Sequence, residues 1–206
     1  SFDLLNFDTA DDPFGSLLLD EVHLLYHDPT VFANRSQVAR YDFENGTQGW
    51  SQFTIDEFTA PTASHSNGAL RVNGVEGSTN CFGGWGLLEG RIAINPDRIY
   101  IVTFEVETEL SDAERHLMPT IRLRLNESSW HGSASKVITS EGDAGIVPTA
   151  GNSKEYQVFL TPSGAVPNQS LLMFFEIMGF SPNDRTDAPL LLKSVTVETV
   201  PKSVLP

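Results

Sequence analysis

Residues 100–107 read YIVTFEVE. Tyr100, Val102, Phe104 and Val106 fall on one side of a strict alternation, with Ile101, Thr103, Glu105 and Glu107 on the other. An extended chain turns successive side chains to opposite faces, so the pattern predicts a strand with one face on a core. The same period recurs outward from it. Ile121, Leu123 and Leu125 alternate with Arg122 and Arg124, and Tyr156, Val158 and Leu160 share a face. Leu171, Met173, Phe175 and Ile177 oppose Leu172, Phe174, Glu176 and Met178, and near the end Leu191, Val195 and Val197 are expected on one face. Further strands are expected over 52–58, 69–73 and 85–92. Asn45-Gly46, Asn67-Gly68, Asn73-Gly74, Asn95-Pro96-Asp97 and Pro182-Asn183-Asp184 punctuate them as turns. No segment sustains a helical period. Many short strands joined by turns predict an all-β antiparallel sandwich.

A second feature divides the chain. Residues 6–25, NFDTADDPFGSLLLDEVHLL, align without a gap on residues 179–198, GFSPNDRTDAPLLLKSVTVE. Each has a Phe near its start, an Asp-bearing polar turn, three leucines and then a valine. A repeated closing strand predicts that 1–28 ends a preceding module or forms a donated arm, with a linker over 29–39. The complete sandwich is then expected over 40–200, followed by a tail, 201–206.

Composition narrows the function. The 206 residues carry 27 acidic against 13 basic side chains, a formal charge of −14. That disfavours nucleic acid, whose binding rewards phosphate-neutralising Lys and Arg, and equally disfavours anionic membranes and polyanionic glycans. No apolar run approaches the ~20 residues that span a bilayer, so no membrane insertion is expected. Cys81 is the single cysteine, which excludes an intrachain disulfide. Asn-X-Ser/Thr sequons at Asn34, Asn45, Asn126 and Asn168 accord with a secreted or cell-surface location.

The order of landmarks resembles a known family. YDFENGTQGW (41–50), SHSNGALRV (64–72), Gly84-Trp85-Gly86, the Tyr100 strand, Phe174-Phe175-Glu176 and the closing LLLKSV follow one another across residues 40–198. In this they resemble the jelly-roll carbohydrate-binding modules of families 4, 9 and 22, within the galactose-binding-like sandwich superfold. The resemblance implies a jelly roll that binds a polysaccharide, expected to be neutral, without catalysis. Aromatic rings stack on the C–H faces of sugars, and polar groups select the hydroxyl pattern. Trp85 matches the family's tryptophan before a glycine, and Phe174 with Glu176 matches its aromatic-X-Glu pair. From the residues alone, Trp130 lies in a polar stretch where an uncovered ring makes a loop contact. Arg122 and Arg124 sit on the polar side of their strand, and Arg71 is a candidate for the same face. Trp50 is expected in the core.

The resemblance also implies a structural Ca²⁺ between the opening and closing strands. Glu44 matches one ligand position, but the Asp expected at the other is Asp20 in the N-terminal copy and Lys193 in the complete one. Lys193 has the parity of Leu191 and Val195, so it is expected to point inward, replace the ion and pair with Glu44 or a nearby carboxylate; no other cofactor is implied.

Catalytic patterns are sparse. His23 and His27 are spaced as a helical metal pair but lie in a strand pattern, and no HExxH motif is present. Some jelly rolls are polysaccharide lyases or hydrolases, and Glu105, Glu107 and Glu176 are the carboxylates such a site would draw on. The expected partners are a polysaccharide and neighbouring modules or subunits of the same protein. The competing reading is an extracellular repeat that assembles head to tail through the N-terminal arm, because non-closing heterologous contacts propagate.

Overall fold

The computed structural model describes residues 34–75, 78, 80–88, 90–140, 147–178 and 189–204. The N-terminal copy of the repeat, with Asp20, His23 and His27, lies outside them, as does the lead-in of the second copy.

Eleven strands are described: β1 (Ser36–Tyr41), β2 (Ser51–Thr54), β3 (Thr62–Ser66), β4 (Ala69–Asn73), β5 (Gly83–Leu87), β6 (Arg98–Thr108), β7 (Ile121–Glu127), β8 (Ser133–Ile138), β9 (Lys154–Leu160), β10 (Leu171–Ile177) and β11 (Leu190–Pro201). They form two antiparallel sheets. One runs β3-β4-β11-β6-β9 with β1 also on β11, and the other runs β2-β5-β10-β7-β8. The fold is an all-β, antiparallel jelly-roll sandwich.

The alternation read from YIVTFEVE places the core. Tyr100, Val102, Phe104 and Val106 join Tyr156, Val158 and Leu160 from the first sheet. Ile121, Leu123, Leu125, Leu171, Met173, Phe175 and Ile177 meet them from the second. Phe43 and Trp50, from the stretch before β2, close one side, with ring centroids 5.9 Å apart at 87°. Cys81 is buried, and desolvation holds its thiol above the ordinary range, which leaves it a small core side chain.

Several expectations are corrected. The strand expected over 52–58 ends at Thr54, because the chain turns through 56–58 before Thr59 bridges to Cys81. β1, β3 and β8 carry too few apolar residues to announce themselves. β1 starts at Ser36, inside the stretch read as linker. In β11 the register shifts between Leu192 and Ser194. A bulge of this kind inserts one residue and resets the parity. Leu190 and Leu192, not Leu191, therefore share the core with Val195 and Val197.

That bulge decides the fate of Lys193. Its side chain is about one-third exposed, and its Nζ lies 3.7 Å from Glu107 Oε2 rather than on Glu44. β4 pairs β11 up to Leu192 and β1 pairs it from Val195. The interval opens a polar depression of about 520 Å³ that includes Arg40, Asp42, Glu44, Glu105 and Lys193. Glu44 reaches it from a turn and Lys193 from the bulge, so the inward-pointing lysine expected from the sequence is not found. No cluster of three or more metal-ligating side chains occurs among the described residues.

Candidate functional site

The outer face of the β2-β5-β10-β7-β8 sheet gathers most of the side chains singled out from the sequence. Cross-strand partners in register point to the same side. One row runs Phe53, Gly84, Glu176, Arg122, Val137, and the next runs Ser51, Gly86, Phe174, Arg124, Ser135. A third carries Leu172, Asn126 and Ser133. Phe174, Glu176 and Arg122 are thus brought together.

Trp85 is not, and its place is a correction. It sits on β5 with opposite parity, in register with Phe175 and Gln52. It is 4% exposed within the core, where its indole Nε1 donates to the Arg71 carbonyl at 3.0 Å. The flanking glycines do not expose it; they clear the outer face. A Cβ at Gly86 would lie 3.1 Å from the Phe174 ring, and one at Gly84 would lie 2.3 Å from the Phe175 carbonyl oxygen. Arg71 is on β4 in the other sheet, where it pairs with Glu109.

The most exposed ring among the described residues is Trp130, at 57%. It stacks on Phe174 with centroids 6.1 Å apart and planes at 28°. Phe53 meets Phe174 edge-on at 5.2 Å, and the Arg124 guanidinium carbon lies 4.3 Å from the Phe174 centroid and 5.4 Å from that of Trp130. Phe174 is buried beneath these neighbours, so it is the floor and Trp130 the platform.

The turn holding Trp130 is tied down. Trp130 N donates to Glu127 O at 2.8 Å, and Glu127 N donates to Gly132 O at 2.9 Å. The buried Glu127 carboxylate accepts from Ser163 N and Ser163 Oγ, and Ser128 Oγ donates to Gln169 at 2.9 Å. Trp130 adopts φ +63°, a left-handed conformation that costs a bulky residue about 1–2 kcal/mol. Strain of this kind persists where the surroundings over-determine it, and it clusters at ligand contacts.

Beside this platform lies a charged triad. The Glu176 side chain is fully buried. It accepts from Arg124 Nε at 3.0 Å and Nη2 at 3.1 Å, and also from Arg122 Nε. The two arginine side chains remain about one-fifth exposed. A second aromatic pair continues the face: Phe58, exposed, meets Phe82 at 5.3 Å, and the Arg122 guanidinium carbon lies 5.6 Å from the Phe82 ring. Phe53, Phe58 and Phe82 are site-face residues the sequence reading did not nominate, whereas Arg124 was read on this face as a polar donor beside Arg122. The phenylalanines needed the cross-strand register. Asn126, one of the sequon asparagines, is buried on this face and closed to glycosylation, and its Oδ1 has no hydrogen-bond partner among the described residues.

The arrangement can stack a ring and donate hydrogen bonds. It does not assemble the three carboxylates considered for acid-base chemistry. Glu105 and Glu107 are on β6 in the other sheet; Glu105 accepts from Ser153 and Ser194, and Glu107 from Gly151 N. Glu176 is saturated by its arginines.

Neither a scan of protein-family models nor a search of curated proteins returns a match. Solved structures are similar in fold. A Stig cyclase from Fischerella sp. TAU aligns at TM-score 0.53 and 11% identity, over 81% of this chain and 98% of the cyclase. The xylan-binding module CBM15 aligns at TM-score 0.49 and 13% identity, over 81% of this chain and 95% of the module. An α-L-arabinofuranosidase aligns at TM-score 0.47 and 12% identity over 74% of this chain, which spans 23% of that enzyme. The likeness to the cyclase, at 11% identity, is one of fold alone.

Proposed function

We propose that this chain is a non-catalytic carbohydrate-binding module of a secreted or surface protein, holding a polysaccharide on the outer face of the β2-β5-β10-β7-β8 sheet. Trp130 provides the stacking platform, Phe174 supports it from below, and Arg122 and Arg124 donate to polar groups of the sugar. The observation that carries the reading is Trp130: a large ring more than half exposed, in a strained conformation, on a turn fastened to the 163–170 segment. Glu176 serves as the buried anchor of both arginines rather than as an acid or base, which favours binding over hydrolysis.

Intrinsic fluorescence tests this. Trp50 and Trp85 are buried at 2% and 4% exposure, so a ligand that covers the face changes the environment of Trp130 above all. Titration with a panel of soluble polysaccharides is expected to shift the emission to shorter wavelength for at least one polymer. A spectrum unchanged by every polymer counts against the reading.

A further inference from the structure

Resting on that reading, we infer that the face is built for a polysaccharide whose sugars carry a carboxylate, a polyuronate, and that Arg122 receives it. The charges at the site do not cancel. Two guanidiniums face one carboxylate in the triad, and Glu176 is the one carboxylate with which either arginine pairs among the described residues. Arginine stays protonated at any working pH, so among the described residues one positive charge of the triad is uncompensated, on side chains about one-fifth exposed.

The two arginines also differ in the donors they have left. Arg124 spends Nε and Nη2 on the two Glu176 oxygens, fork against fork. Arg122 spends only Nε. Its two Nη nitrogens have no hydrogen-bond partner among the described residues. Phe82 lies against the guanidinium, and Glu176 fixes its inner edge, so the plane is held and its donors remain available. A fixed, planar, donor-only group suits a carboxylate, which is acceptor-only and takes it bidentately. Such a pair is roughly twice as strong as a neutral hydrogen bond to a hydroxyl.

Arg122 is also in reach of a chain that stacks on Trp130. Arg122 is the next same-face residue along β7 from Arg124, about 7 Å away by the rise of a strand. A sugar stacked on Trp130, beside Arg124, therefore directs an adjoining unit of its chain over Arg122 and toward the Phe58–Phe82 pair. The formal charge of −14 opposes a polyanion only at long range. Physiological salt screens charges beyond about 8 Å, so the local triad governs the contact.

The test uses one backbone with its carboxylates free or masked: polygalacturonate against its methyl-esterified form. Alginate, neutral xylan and a neutral β-glucan run alongside in affinity gels at physiological salt, with a chelator to exclude metal bridging. The wild-type protein is expected to be retarded by the free polyuronates at least tenfold more strongly than by the ester or the neutral polymers. Arg122→Lys keeps the charge, loses the fork and is expected to remove most of that margin, with an unchanged circular dichroism spectrum. Equal or stronger retardation by the ester or a neutral polymer would overturn the carboxylate assignment and leave the binding-module reading intact. Full polyuronate binding by Arg122→Lys would overturn the role of Arg122. Retardation by none of the polymers would count against both.

Discussion

Trp130→Ala is expected to lose at least tenfold, and on the order of thirtyfold, in affinity for whichever polysaccharide the wild type binds. Hot-spot aromatics at binding surfaces contribute about 2 kcal/mol or more when truncated, and 1.4 kcal/mol is a factor of ten. Stability should move little, because the ring is 57% exposed and its main packing partner is Phe174. Trp130→Gly separates the two effects further. Glycine tolerates φ +63° without strain, so this variant should bind as poorly as the alanine one while melting no lower. Affinity electrophoresis beside a thermal melt measures both quantities. A variant that binds normally would move the site away from the β7–β8 turn.

Glu176→Gln is expected to be the more destabilising change, by about 3 kcal/mol, because breaking a buried charge pair from one side leaves its partners uncompensated. The Glu176 side chain has no solvent exposure and serves two guanidiniums at once. Their own partial exposure lets them recover some hydration, which places the cost at the lower end of the range for buried pairs. For a chain of this size each kcal/mol moves the thermal midpoint by about 2–4 °C, so a fall on the order of 10 °C is expected. Arg122→Gln should cost distinctly less, since Arg124 still holds both carboxylate oxygens. Equal losses in the two variants would show that the triad does not divide its contacts as described.

The strand alternation was legible because each core strand runs long enough to show its period, and the faces of β6, β7, β9 and β10 follow from it directly. The edge strand β8, SASKVI, is invisible to that reasoning, since small and polar residues give an edge no apolar stripe. Parity failed at Lys193 for a physical reason: one bulge residue in β11 reverses every face beyond it, and no local signal marks the bulge. The site was legible as a set of residue types and misread in one member. Two glycines beside Trp85 suggested an uncovered ring, whereas Gly86 makes room for Phe174 on the opposite face and Gly84 for the close approach of the β10 backbone. Glu176 and Arg122 stand 54 positions apart, and their pairing depends on the β10–β7 register, which a single sequence does not reveal. The N-terminal repeat copy lies outside the described residues, and the head-to-tail assembly it suggested rests on the sequence match alone.

Ligand is expected on the outer face of the β2-β5-β10-β7-β8 sheet. A ¹H–¹⁵N spectrum of the protein titrated with soluble oligogalacturonates and xylo-oligosaccharides tests it most directly. The Trp130 indole Nε1 and the Arg122 and Arg124 Nε resonances are expected to shift together, while the indole signals of Trp50 and Trp85 stay in place. Shifts centred instead on Arg40, Asp42, Glu44 and Lys193, at the β1–β11 depression, would contradict it.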